Sequence, residues 1–183
     1  MRVLVDMDGV LADFEQGFLD TWRARHPDQP YVPLEERTGF YILDQYPRHL
    51  KPLIREIQYE PGFIRELPPI PGAIAAMEAM RDAGLEVFIC SSPFTRYENC
   101  VGEKYAWVDA HLGERWIPRI ILAKDKTLIK GDVLIDDRPV VDGVAEPSWE
   151  HVIFDQPYNR DQQDKRRLSG WDDWRSVLLS SAP

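Results

Sequence analysis

Apolar residues in this 183-residue chain gather in short unbroken runs rather than alternating with polar ones. Five runs, at residues 3–5, 85–90, 119–122, 133–135 and 151–154, read as strands buried on both faces. Helical periodicity fills residues 73–81 and 96–112 between them. The first of these helices is stopped by Asp82-Ala83-Gly84, with Gly84 suited to a left-handed C-cap. Buried strands alternating with helices predict an α/β fold, a Rossmann-like parallel sheet with helices on both faces. In such sheets ligands bind beyond the carboxyl ends of the strands.

Residues 11–71 break this rhythm. They are rich in aromatics and proline, with helical patterns at 13–25 and 47–59 and no clear strand. They end in Leu67-Pro68-Pro69-Ile70-Pro71-Gly72, a stiff return segment. A plain strand-to-helix connection needs far fewer residues. The expected division is a core domain of residues 1–13 and 72–183 and a small helical cap, 14–71, inserted after the first strand. The alternative is that these helices pack on the sheet as additional core. The segment from Asn159 to Arg167 is charged and reads as a solvated loop, followed by a short packing helix at 171–179.

Composition narrows the function. A formal net charge of -9 argues against binding a nucleic-acid polymer, which wants excess Lys and Arg. A small anionic substrate stays compatible, because a bound cation reverses the local charge. Only Cys90 and Cys100 are present, without CxxC spacing, which fits a reducing compartment. No stretch is long and apolar enough to span a membrane, and the chain opens directly on a strand, so a cytoplasmic location is the default expectation. His26, His49, His111 and His151 lack metal-ligand spacing and read as structural or surface residues.

The candidate chemistry lies at predicted strand ends. Asp6 and Asp8 follow the first run, Ser91-Ser92-Pro93 the second, and Asp136-Asp137-Arg138 the fourth, with Lys126 in the loop between the third and fourth. Each is weak alone: Ser-Ser-Pro is a common helix start, and a loop Lys is usually solvated. The shared sheet end makes them converge. Asp6, Asp8 and Asp136 would repel one another without a hard cation, and Mg²⁺ suits oxygen ligands and a substrate phosphate. Serine hydroxyls at a helix N-terminus and the Lys126 charge would hold the phosphoryl group. One carboxylate can then attack phosphorus while the other moves a proton.

These motifs, in this order, resemble those of the haloacid dehalogenase-like phosphatase superfamily. The local sequence is similar to the 5′(3′)-deoxyribonucleotidases in particular. Asp6-Met7-Asp8-Gly9-Val10-Leu11-Ala12-Asp13-Phe14, Phe88-Ile89-Cys90-Ser91-Ser92-Pro93 and Leu134-Ile135-Asp136-Asp137-Arg138-Pro139 carry that resemblance. It implies a phosphatase acting on deoxyribonucleoside monophosphates, with Asp6 as nucleophile and Asp8 as acid/base. It implies Mg²⁺ held by the Asp6 carboxylate, the Asp8 main-chain carbonyl and Asp136, with Asp137 orienting them. Ser91, Ser92 and Lys126 would hold the phosphate, and Arg138 would lie near the substrate. Better-known members carry Thr where Ser91 stands, so the hydroxyl is kept. Phe14, Phe40 and Tyr41 match the aromatic positions that hold base and sugar. The resemblance also suggests a homodimer, although no heptad or apolar patch in the sequence calls for one. Rival expectations are a superfamily phosphatase for another small phosphate ester, a transferase, and a catalytically silent nucleotide-binding relative. An intact Asp8 speaks against the last two.

Overall fold

The computed structural model describes residues 1–179. In chain order the strands are β1 (Arg2–Val5), β2 (Glu86–Ser91), β3 (Ile120–Leu122), β4 (Val133–Asp136), β5 (Glu150–Phe154) and β6 (Arg167–Leu168). The α-helices are α1 (Phe14–Arg25), α2 (Lys51–Tyr59), α3 (Ala73–Asp82), α4 (Cys100–Leu112) and α5 (Trp174–Leu179). The strands form one sheet in the order β3-β2-β1-β4-β5-β6, and every pairing is parallel.

The unbroken apolar runs have the predicted cause. Val3, Leu4 and Val5 are wholly buried, and successive side chains leave opposite faces of the sheet. Val3 and Val5 enter the large core with α1, α2, α3 and α4, whereas Leu4 meets Cys90, Leu134 and Trp149 on the other face. The chain runs outward from β1 through β2 to β3, then crosses back to β4. The strand order therefore reverses beside β1, and a crevice opens beyond the ends of β1 and β4.

Residues 14–71 leave and rejoin the sheet at one place. Asp13 N–H donates to the Pro68 carbonyl at 2.7 Å and Ile70 N–H to the Leu11 carbonyl at 2.8 Å, so the outgoing and returning chains are stitched together. Asp13 caps α1 by accepting from Gln16 N–H at 3.1 Å. Pro52 lies in the first turn of α2, where its missing N–H costs no hydrogen bond. Single 3₁₀ turns at Leu34–Glu36, Ile42–Gln45 and Arg48–Leu50 fill the interval. Phe18, Trp22, Leu50, Ile54 and Ile57 belong to the same contiguous buried cluster as Val3 and Val5.

Four sequence expectations are corrected. The helix predicted from residue 96 begins at Cys100, so Ser91-Ser92-Pro93 does not open a helix. The Ser92 hydroxyl instead donates to the Ala123 carbonyl at 2.8 Å, and Asn99 precedes α4 without a side-chain cap. The helix predicted at 47–59 begins with a separate 3₁₀ turn, as does the one at 171–179. The charged segment after 159 is not a free loop: it supplies β6, and Asn159 is completely buried. Arg167 holds it down, donating to Asp155 at 2.8 Å and to the Asn159 side chain at 2.7 Å.

Candidate active site

The parallel register brings the motifs together. Val5 pairs with Ile89 on one side and Ile135 on the other, so Asp6, Cys90 and Asp136 lie level at the sheet edge. Asp6 N–H extends the ladder to the Ile135 carbonyl at 2.9 Å. Ser91 closes β2 and pairs with Leu122 of β3. A cavity of about 420 Å³ opens there. Asp6, Asp8, Ser91, Ser92, Lys126, Asp136 and Arg138 all line it, and so do Phe14, Phe40 and Tyr41.

Lys126 is not a solvated loop lysine. Its segment forms a 3₁₀ turn, Lys126–Leu128, capped by Asp125, whose carboxylate accepts from Thr127 N–H at 2.9 Å. The turn drives the ammonium inward to 2.9 Å from Asp6 and 2.5 Å from Asp136. Burial alone would depress its pKa, but Asp136 and Asp6 outweigh that and raise it, so Lys126 stays charged.

Asp6, Asp136 and Asp137 offer carboxylate oxygens within 4.8 Å of one another. One ammonium does not neutralise three carboxylates. Burial, more than any other cause, lifts Asp6 above the usual carboxylate range, partly countered by Lys126. Asp137 is raised well above it by burial and then by the charges of Asp136 and Asp6. The Asp137 Oδ1 and the Ser91 hydroxyl are buried with no hydrogen-bond partner. An all-oxygen donor set with a charge deficit and an orphaned oxygen fits a hard divalent cation.

The Asp8 carboxylate stands apart from this triad. Both its oxygens accept from Lys104 Nζ at 2.6 Å. Its neighbour Gly9 has φ +76°, and a Cβ there would lie 2.2 Å from Asp137 Oδ2. Only glycine lets the first loop pass that close to the second acidic motif.

The cavity wall is shared between residues 14–71, which supply Phe14, Phe40, Tyr41 and Tyr59, and core loops, which supply Phe94, Arg138 and Tyr158. Phe14 packs edge-on against Phe63 and Phe94, with centroids 5.4 and 6.1 Å away. Phe40 stands edge-on to Tyr41 at 5.1 Å and Tyr158 at 5.9 Å. Arg138 places its guanidinium 5.7 Å from the Phe40 centroid and 4.0 Å from Asp142, so it both covers the ring and pairs with a nearby acid. Tyr41 is 56 % exposed and forms the outer lip.

The chain matches the family described as 5′ nucleotidase, deoxy (Pyrimidine), cytosolic type C protein over residues 1–182. It belongs to that family. It is 54 % identical over 178 residues to a provisionally named 5′(3′)-deoxyribonucleotidase of Bordetella pertussis, covering 97 % of this chain and 95 % of that one. It is 50 % identical over 190 residues to the human cytosolic-type 5′(3′)-deoxyribonucleotidase, covering 98 % and 94 %. Among solved structures it resembles a haloacid dehalogenase family hydrolase from Deinococcus radiodurans, with a TM-score of 0.64 at 16 % identity over 97 % of this chain and 94 % of that one. The architecture is thus the haloacid dehalogenase-like fold.

Several lining residues of this nucleotidase-family site escaped the sequence reading. Tyr59 and Gln58 at the end of α2, and Phe94 after β2, face the same cavity. Tyr158 donates its hydroxyl to Asp137, and the Asn159 amide donates to the Asp137 carbonyl at 2.7 Å, so the supposed solvated tail braces the second acidic motif. Glu15 lines the cavity and forms a buried ion pair with Arg37. Burial pushes the Glu15 carboxyl up to about 7, against the pull of Arg37. One signal was available for Lys104: it sits on the buried stripe of Cys100, Trp107, Val108 and Leu112, where a lysine needs a partner.

No helix among the described residues is long and apolar enough to cross a membrane. The histidines lie away from the triad carboxylates. His26 packs against Trp22 and His111 against Trp107, while the His151 ring lies 3.3 Å from the Asp136 backbone carbonyl and burial lowers its pKa to about 4.

Proposed function

We propose that this protein is a Mg²⁺-dependent phosphatase that hydrolyses deoxyribonucleoside monophosphates through a phosphoaspartate. The observation that carries the reading is the joining of an acidic, Lys-bearing floor to an aromatic-walled cavity of nucleotide size in one crevice. Membership of a deoxynucleotidase family supports it.

In this reading Asp6 Oδ attacks phosphorus and the phosphorus–ester oxygen bond breaks. Asp8 gives its proton to the departing nucleoside oxygen. A water oxygen then attacks the acyl phosphate, its proton returns to Asp8, and the bond from phosphorus to Asp6 breaks to regenerate the carboxylate. Ser91, with its unpartnered hydroxyl, and Lys126 hold the phosphoryl oxygens, and Ser92 fixes the loop beside them. The Asp6 and Asp136 carboxylates with the Asp8 carbonyl hold Mg²⁺, and Asp137 orients them. When bound, the ion supplies charge for the phosphoryl oxygens and lets anionic substrate approach anionic Asp6. Phe14, Phe40 and Tyr41 flank base and sugar, and Arg138 closes the outer edge.

Residues 14–71 act as a cap over residues 1–13 and 72–183. The stitched exit and return at Asp13–Pro68 and Leu11–Ile70 support that division. The cytoplasm is the place of action, supported by the free thiols of Cys90 and Cys100 and by the likeness to a human relative named as the cytosolic type. A homodimer is the working assembly, carried only by family resemblance.

The test is phosphate release from a panel of nucleoside and deoxynucleoside monophosphates, with Mg²⁺ and with chelator. Release from deoxynucleotides that chelator stops is the expected result. Release from sugar phosphates but from no nucleotide would sink the substrate assignment and leave the phosphatase chemistry.

A further inference from the structure

The side chain that grips Asp8 belongs to none of the four sequence motifs. Lys104 is 1 % exposed, and its ammonium meets both Asp8 oxygens at 2.6 Å. Its other polar neighbour is the Met7 sulfur at 4.0 Å. A buried ammonium is costly unless a carboxylate matches it, so packing alone would favour an apolar residue here. Lys104 does not line the cavity; its direct contact with the chemistry is Asp8, and its charge also bears on Asp6 from further off.

The same stretch of α4 also holds the chain returning from residues 14–71. One position earlier, the Glu103 carboxylate accepts from Gly62 N–H at 2.6 Å and Ile64 N–H at 3.0 Å. One turn later, the Trp107 indole donates to the Leu67 carbonyl at 2.8 Å. Three neighbouring positions on one rigid helix therefore fix the cap's return segment and Asp8 relative to each other.

We propose that Lys104 is a positioning residue for Asp8, so that α4 sets the acid/base in register with the cap. The inference rests on the reading of Asp8 as acid/base. An Asp8 side chain tethered to the Lys104 ammonium keeps one orientation, and when one oxygen carries the proton the other still accepts from Lys104. Without Lys104 the Asp8 side chain, 21 % exposed, turns about its own bonds and meets the leaving oxygen less often. Such a defect falls on reactions that need a proton. A deoxynucleoside leaves as a poor alkoxide and needs one; p-nitrophenolate is stable and scarcely does.

The experiment compares Lys104→Met, Asp8→Asn and the wild-type enzyme on a deoxynucleoside 5′-monophosphate and on p-nitrophenyl phosphate. It reads kcat and KM for the nucleotide and the single-turnover burst of nitrophenolate. Lys104→Met should lower nucleotide kcat by roughly tenfold or more while KM stays within about twofold and the burst rate falls far less. Wild-type nucleotide kcat, or equal losses on both substrates, would overturn the role. If Lys104→Met does not fold, Lys104→Gln makes the same comparison under the same criteria. Asp8→Asn separates the two readings. Nucleotide turnover that survives it removes the acid/base assignment itself. Turnover lost in Asp8→Asn but intact in Lys104→Met removes only the role of Lys104.

Discussion

The floor and the wall of the cavity are built on different principles. On the floor, Asp6, Ser91, Lys126 and Asp136 are buried and sit on strand ends or a capped turn next to them. Their positions follow from parallel register, which leaves little freedom. On the wall, Phe40 and Tyr41 lie at a 3₁₀ turn, and Tyr41 is more than half exposed. The floor brings charges to within a few ångströms of one another, and the register of the rigid sheet holds them there. The wall offers flat apolar area, which a short irregular segment can present and vary. The sheet edge thus carries the clustered charges, and the insert carries much of the aromatic area facing them.

Five substitutions probe this contrast, beginning with the largest expected effect. Asp6→Asn removes the proposed nucleophile and relieves the crowding of carboxylates. Turnover should fall by roughly a thousandfold or more, with thermal unfolding no earlier than in wild type. Phosphate release at the wild-type rate would eliminate the covalent route.

Gly9→Ala attacks the floor through its backbone. The added carbon meets Asp137 in a left-handed conformation, so a stability loss of about 1–3 kcal/mol in urea titration is expected, together with lower kcat. A neutral result would mean that the loop between the two acidic motifs is far softer than its packing implies.

On the wall, Phe40→Ala should raise KM by roughly tenfold, about 1.4 kcal/mol, with kcat nearly unchanged. Tyr41→Ala should do less, because much of its ring faces solvent. Loss of kcat with KM constant would contradict the division between floor and wall.

The smallest effect concerns Glu15 at the junction. Its carboxyl is pushed from 4.5 to about 7 by burial. Between those values the folded chain keeps a proton that the unfolded chain has released. Its contribution to stability is therefore greatest below pH 4.5 and declines as pH rises through 7. Glu15→Gln, which keeps a partner for Arg37, should flatten the stability slope between pH 5 and 8 in urea titrations. An unchanged slope would show that Arg37 holds Glu15 ionised throughout.

Much of the floor was legible because its signals are local. Apolar runs too short for helices marked β1, β2, β4 and β5, and each acidic or hydroxyl motif follows such a run directly. The start of α4 was misjudged because Ser and Pro favour a helix N-terminus in isolation, while here Ser92 is drawn to the Ala123 carbonyl of the neighbouring loop. The tail was misread because charge suggests solvent; Arg167 and Asn159 instead satisfy each other and neighbouring backbone groups in the interior. Tyr158 was invisible as a site residue, and Lys104 was marked only as a buried lysine in need of a partner, because each acts across a long sequence separation, on Asp137 and Asp8 respectively.

The sequence alone determined five of the six strands of the sheet, the parallel class of the fold and the set of groups at its carboxyl edge. These follow from periodicity and from the short reach between a strand and the residue after it. Only the tertiary structure decided which carboxylates share a triad, that Asp8 is held apart by Lys104, and that the charged tail braces Asp137. Those outcomes depend on burial, where a charge must find a partner from any part of the chain that packing brings near.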